Sequence, residues 1–273
     1  MLQQELKKLW YPPFILPAVI SIVILCTLGE CYENSDGGSC TVLDVITGRD
    51  ALLLHSMDWF HIWESGLNTW SYLFIPVLLS MSYIITLAEE GKSGSLRLIL
   101  IRSGALRYGW AKVISGAVTG GGILVMGYGM YGILMLGIFP LCLTDASGVQ
   151  MSVNGLVSSV IMRLLGIFLY GAMVNLFALV VSVFFRDPYM LLCLPVMVKY
   201  IYTQVLQRIE TGAMEQGNML LLEQAGRFRL ENMIRMSFDK SWWLLVTAML
   251  ALYGLLGFGY GFWIRERRDS GAW

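Results

Sequence analysis

The chain has 273 residues, of which 56% are hydrophobic and 14% are charged, and its mean hydropathy is +0.65. Because an average soluble domain is about one quarter charged, this composition excludes an ordinary soluble protein and indicates a protein embedded in lipid. A formal net charge of +0 also removes any global electrostatic argument for binding nucleic acid.

Apolar runs alternate with short polar segments, and a spanning helix needs roughly 20 mostly apolar residues. The first run begins at Tyr11, after a short helix expected at the membrane surface. It contains Pro17 and lacks a small-residue cleavage site, so we interpret it as an uncleaved span. Six spans are predicted, at about residues 11–28, 70–87, 110–139, 155–185, 189–206 and 242–264. We therefore predict an all-α polytopic membrane protein that forms one transmembrane domain over residues 1–273, with no nucleotide-binding domain.

The distribution of basic residues predicts that both termini are cytoplasmic, because Lys and Arg in short loops are retained inside. The loops and ends that this orientation places inside contain Lys7, Lys8, Lys92, Arg97, Arg102, Arg107, Lys112, Arg186, Arg265, Arg267 and Arg268. The loop after the first span has Arg49 as its single basic residue, and the loop after the third span has none.

Two cysteines lie in the first outer loop, on either side of a turn-prone segment at residues 34–39. An oxidising exterior would permit a disulfide between Cys31 and Cys40. The sequence leaves the bonded and the free state open.

The same loop contains His55, Asp58, His61 and Glu64 at intervals of three residues. On an α-helix this spacing drifts by about 60° per step, so only adjacent pairs could share a metal ion. His55, Asp58 and His61 are therefore metal-ligand candidates, but we predict no metal. We expect instead an interfacial helix whose aromatic residues, Trp59, Phe60 and Trp63, enter the lipid.

Glycines are concentrated in the third and sixth spans, where small residues let helix backbones approach closely. Gly116 and Gly120 form a G-x-x-x-G motif in the third span. The sixth span is also rich in glycine, with Gly254, Gly257 and Gly259. We expect both helices to lie within a packed bundle.

Arg163 and Lys199 fall well inside predicted spans, where an ionisable group is costly and commonly functional. Arg163 lies about two turns into the fourth span and can extend outward to water. Lys199 follows Pro195 and is the stronger candidate for lining a cavity. We assign both residues to a candidate translocation path.

The segment between the second and third spans has the composition of an element that binds a partner. An acidic pair is followed by a Gly/Ser turn, a short amphipathic helix and a basic stretch. Its candidate contact residues are Glu89, Glu90, Gly91, Lys92, Leu96, Arg97, Arg102 and Arg107. One interpretation is an ordinary interfacial helix, and the other is a coupling helix that docks on a separate motor subunit.

This segment resembles the corresponding part of ABC-2 type transporter permeases, the transmembrane subunits of type V ABC exporters. In that family the second span runs into Glu-x-x-x-Gly, a short leucine-rich helix, an Arg, and a Lys that enters the third span. The matching positions here are Glu90, Gly94, Leu96, Leu98, Arg102 and Lys112. The loop at residues 29–68 is longer than a minimal family member needs, which leaves the substrate class open.

The resemblance implies that a separate cytoplasmic ATP-binding cassette subunit binds ATP and Mg and hydrolyses the ATP. This chain would then be no enzyme and would hold no cofactor, and it would pair in the membrane lipid with a second permease subunit, identical or related. The resemblance also implies export of a peptide, lipid or drug-like substrate by alternating access across a cell membrane, the plasma membrane of a bacterium. Re-entrant helices are expected on the outer side between the fifth and sixth spans, at residues 203–241.

Two other function classes fit parts of the chain. A membrane-anchored binding or immunity protein would capture a peptide or antibiotic through its outer loops without transport. An intramembrane protease would use Glu89 and Glu90 as a pair like that of the CAAX-protease-like family. Gly94 stands where that family has an Arg, and no histidine follows His61, so the protease is disfavoured.

Overall fold

The computed structural model describes residues 15–33, 39–47, 58–67, 71–81, 104–140, 153–185, 187–235 and 240–269. Six longer helices are α1 (Ile15–Thr27), α4 (Ser71–Met81), α5 (Ala105–Leu136), α6 (Val153–Phe184), α7 (Pro188–Glu215) and α10 (Lys240–Asp269). The shorter elements are β1 (Glu30–Glu33), β2 (Ser39–Thr41), α2 (Val42–Ile46), α3 (Trp59–Ser65), α8 (Met219–Arg227) and α9 (Asn232–Arg235).

Among the described residues, four helices are long and apolar enough to cross a membrane. Their apolar parts are Leu106–Leu136, Gly155–Ser182, Tyr189–Glu215 and Trp242–Gly259, in α5, α6, α7 and α10. Within the described residues, α1 and α4 are shorter apolar helices. The prediction of a helical, membrane-embedded protein is therefore confirmed at this coarse level, and the count of six spans stays a prediction. The antiparallel pair of β1 and β2 is a small addition to the all-α expectation.

The centre of the bundle is the contact between α5 and α6, which depends on glycine. A Cβ on Gly120 would lie 2.6 Å from the Cβ of Asn175, and one on Gly171 would lie 2.8 Å from the Gly120 carbonyl oxygen. The buried Asn175 side chain donates to the Gly116 carbonyl oxygen at 2.5 Å. Its Oδ1 atom has no partner among the described residues. The two helix axes approach closely because neither backbone carries a side chain at these points.

Two further helices pack against α5 through glycine. Gly127 faces Ile22 of α1, and Gly257 of α10 faces Trp110, each so closely that an added Cβ would lie under 3.0 Å from the neighbour. Gly122 and Gly254, in contrast, have open space beside them. The expected glycine-mediated packing is thus confirmed for a subset of the glycines.

The long helix α7 begins at a favourable site and extends past the predicted end of the fifth span. Asp187 lies at its N-cap and Pro188 is its first residue, where the missing N–H of proline costs nothing. Gly217, with a φ of +63°, ends the helical run, and Asn218 caps α8 by accepting from the Leu221 N–H at 3.4 Å. The region predicted to form re-entrant helices folds as the end of α7 followed by α8 and α9, and their re-entrant character stays a prediction.

Candidate functional site

Most of the predicted coupling residues lie outside the described residues. These are Glu89, Glu90, Gly91, Lys92, Leu96, Arg97 and Arg102. Arg107 is described, and it is exposed in the first turn of α5, after Gly104 with its φ of +76°. Lys112, one turn further along, is only 2% exposed, and its Nζ lies 5.5 Å from the centre of the Tyr108 ring.

Lys199 is buried in the bundle at 4% exposure, on the same face of α7 as Leu191 and Pro195. Its Nζ donates to the Tyr170 hydroxyl of α6 at 2.5 Å and to the backbone carbonyl of Tyr72 in α4. The two tyrosine rings flank the ammonium at 5.2 and 5.3 Å, a distance at which aromatic faces attract a cation. Lys199 therefore joins three helices.

The turn between α8 and α9 lies beside this lysine. Leu230 and Met233 are buried there, and α9 packs against α6. The carboxylate of Glu231 in this turn interacts electrostatically with Lys199 and Tyr170. The turn therefore brings an acidic group near the buried ammonium.

A second set of bonds holds the same turn to α7. Arg229 forms a bidentate ion pair with Glu210, in which the Arg229 Nε lies 2.8 Å from the Glu210 Oε1. Tyr202 donates its hydroxyl to the Phe228 carbonyl at 2.7 Å. The hydrogen bonds that the Arg229 guanidinium donates to the Glu210 carboxylate raise the pKa of the guanidinium above its ordinary value. The segment from α8 to α9 thus bridges α7 and α6 next to Lys199.

Arg163 of α6 reaches the segment between α1 and α4. Its Nη1 donates to Glu64 Oε1 at 2.6 Å, its Nη2 to the Glu64 backbone carbonyl at 2.9 Å, and its Nε to the Tyr128 hydroxyl at 3.1 Å. The Arg163 side chain is 11% exposed, whereas that of Glu64 is 51% exposed. Arg163 and Lys199 therefore belong to separate clusters, each of which binds the stretch from α3 to the start of α4.

The helix α3 packs on protein, which corrects the expectation that its tryptophans enter lipid. Trp59 and Trp63 are buried, and their rings stack 5.4 Å apart. Their indole N–H groups donate to the carbonyls of Gly132 at 2.8 Å and Tyr128 at 3.3 Å. Tyr131 donates in turn to the Ile62 carbonyl at 3.0 Å. The prediction of an amphipathic helix is therefore confirmed, but the apolar side of this helix faces α5.

The metal-ligand candidates do not assemble a site among the described residues. His61 is exposed, Asp58 lies at the N-cap of α3, and His55 is outside the described residues. No group of three possible ligands occurs in the part of the chain that the structure describes.

Cys31 and Cys40 lie on the neighbouring strands β1 and β2. The ladder joins Tyr32 to Cys40, with an irregularity at Cys31, and the Cys31 thiol donates to the Cys40 carbonyl at 3.3 Å. Burial raises the pKa of the Cys31 thiol to about 11. A disulfide between them stays one of the two states that the sequence leaves open.

No family model, curated protein or solved structure matches the chain. The functional argument therefore depends on the residues themselves. Sequence reasoning found Arg163 and Lys199 but missed their partners Tyr72, Tyr128 and Tyr170, although a tyrosine in an apolar run commonly places its hydroxyl on a buried polar group.

Proposed function

We propose that this chain is the permease subunit of an ATP-binding cassette exporter, with ATP hydrolysed by a separate cytoplasmic subunit. In this proposal two permease subunits form the membrane part, and the segment between α4 and α5 transmits the motion of the ATPase. The ABC-2 type motif in that segment supports the assignment. The chain itself performs no chemistry and provides the path.

The buried Lys199 is the observation that carries the proposal. It lies eleven residues after Pro188, the first residue of α7, which is about 17 Å along a helix rising about 1.5 Å per residue. Because the hydrocarbon core is about 30 Å thick, Lys199 would lie near its middle. Ionisable groups at that depth commonly mark substrate or ion pathways in transporters.

Pro195, one turn before Lys199, adds to this argument. A proline inside a helix lacks an N–H group, so the carbonyl of Leu191 loses its usual helical hydrogen bond. Such weakened helical turns beside buried polar groups are typical of substrate sites in transporters.

The proposal is tested by purifying the tagged chain from the membranes of its host and assaying ATP hydrolysis in the purified material. We expect a subunit that contains the phosphate-binding motif G-x-x-x-x-G-K-[ST] to copurify with ATPase activity. Reversing two charges of the coupling segment, in R97E/R102E, should abolish both the copurification and the activity.

A matched control reverses the exposed Glu223–Arg227 pair of α8, in E223R/R227E, and should keep the complex intact. Unchanged copurification of R97E/R102E would overturn the coupling role. Purified wild-type protein that is folded but has no such subunit would overturn the exporter and favour the binding or immunity protein.

A further inference from the structure

Arg163 and Lys199, which were assigned to the candidate translocation path, differ in how their charge is balanced. Arg163 contacts a carboxylate, that of Glu64, at 2.6 Å. The Lys199 ammonium has three N–H donors. Among the described residues two of these donors have acceptors, the Tyr72 carbonyl and the Tyr170 hydroxyl, and both acceptors are uncharged. A buried charge without a partner of opposite sign is costly, so an anion is favoured beside Lys199.

The nearest acidic group does not fill this role directly. The Glu231 carboxylate interacts electrostatically with Lys199, Tyr170 and Tyr202. No ion pair or side-chain hydrogen bond joins Glu231 to Lys199 within the described residues. Glu231 therefore acts as a counter-charge at a distance, and among the described residues one ammonium donor has no acceptor.

We propose that Lys199 and Tyr170 bind the anionic headgroup of an amphiphilic substrate, and that this headgroup replaces Glu231 as the counter-charge of the lysine. The inference deepens the proposed function by naming a substrate class, a phosphate or carboxylate carried on an alkyl chain. Glu231 competes with the ligand, because two negative groups near one ammonium repel each other.

The surface of α7 provides a place for the alkyl chain. Lys199 lies on the buried side of the helix, whereas Met197, Tyr200 and Ile201 next to it are exposed apolar side chains. In a bilayer these side chains would contact acyl chains. An amphiphile could therefore keep its tail in lipid beside α7 while its headgroup reaches the lysine.

The experiment measures binding of dodecyl phosphate to the full-length protein in dodecyl maltoside micelles by isothermal titration calorimetry. Dodecanoate tests a carboxylate headgroup, inorganic phosphate tests the headgroup without a tail, and dodecyltrimethylammonium is the cationic control. We expect both anionic amphiphiles to bind, and inorganic phosphate and the cationic amphiphile to bind at least about tenfold more weakly.

Variants at the two charged positions should shift the affinity in opposite directions. K199M should weaken dodecyl phosphate binding by about tenfold or more, because a charge-assisted bond is lost. E231Q should tighten it by about threefold or more, because the competing charge is removed. E223Q, which changes an exposed ion pair of α8, should bind like the wild type.

Unchanged binding in K199M, or weaker binding in E231Q, would overturn the proposal. If K199M does not fold, K199R and E231Q still test the proposal. K199R should retain dodecyl phosphate binding, and E231Q should bind it more tightly than the wild type does. The assay contains no ATP and no partner subunit, so failure of the ATPase coupling would leave these results intact. Conversely, an ATPase complex that binds no anionic amphiphile would overturn this inference alone.

Discussion

At the scale of single residues, Arg163 holds the outer helix α3 on the bundle. It connects α6 to both the side chain and the backbone carbonyl of Glu64, and to the Tyr128 hydroxyl. The Glu64 carbonyl belongs to the last turn of α3, where a positive charge complements the negative end of the helix dipole. The residue therefore stabilises both the position of α3 and its C-terminal turn.

Replacing this arginine tests its role. R163Q should lower the free energy of unfolding by about 1–2 kcal/mol, because it removes the ion pair with the half-exposed Glu64 and the donor to the buried Tyr128 hydroxyl. Hydrogen exchange should become faster in α3 and remain similar in α10. E64Q should lower the free energy of unfolding by less than R163Q does, because the Glu64 side chain is half exposed and the Glu64 backbone carbonyl keeps its hydrogen bond to Arg163. Unchanged exchange in α3 of R163Q would contradict this role.

Cys31 is the titratable group for which the structure predicts a clear pH dependence. Its thiol is buried, which disfavours the charged thiolate and raises the pKa from 9.0 to about 11. Because the unfolded thiol ionises first, stability from this group is fully present below about pH 9. It is lost as the pH rises towards 11.

Alkylation with iodoacetamide measures this effect in reduced protein. At pH 8 we expect Cys31 to react roughly 100-fold more slowly than a thiol of ordinary pKa, with a rate that rises about tenfold per pH unit up to pH 10. C40S provides the matched control without the neighbouring thiol. A rate like that of a free thiol at pH 8 would contradict the burial of Cys31. In protein from an oxidising compartment, alkylation that requires prior reduction would establish a disulfide as the state of Cys31 and Cys40.

At the scale of elements, the contact between α5 and α6 sets the geometry of the bundle, and glycine substitutions test it. G120A would bring a Cβ to 2.6 Å from Asn175 and should destabilise the protein by about 1–3 kcal/mol. G122A, two residues away and beside open space, should be neutral or stabilising by up to about 1 kcal/mol, because alanine favours the helix. Equal thermal stability of the two variants would contradict the close contact.

The ends of these helices show what hydropathy can and cannot predict. The bounds of α5 and α6 agree with the predicted spans to within five residues, because both helices are apolar almost throughout. The end of α7 was placed at residue 206, whereas the helix continues to Glu215. Hydropathy falls where a helix leaves lipid, even if the helix itself goes on. Glu210 lies in this extension, so the sequence analysis did not predict its ion pair with Arg229.

At the scale of the whole molecule, the sequence predicted the class of protein and two of its buried charges, but not their partners. Glu64 and Arg163 are 99 residues apart, and Tyr72 and Lys199 are 127 apart. One sequence contains no information on which remote residues meet. Trp59 and Trp63 were assigned to lipid for a related reason, since one apolar helix face suits a lipid tail and a protein surface equally well.

The seven residues of α3 are too few to be helical in water on their own. Their hydrogen bonds to the bundle come from two sides. Tyr128, Tyr131 and Gly132 of α5, with Pro140 after it, lie on one side, and Arg163 of α6 lies on the other. A motion that separates α5 from α6 should strain these two sets of bonds and weaken α3. The helical content of this short segment therefore reports the spacing of the two central helices, and a spectroscopic label at His61 would follow changes in that spacing.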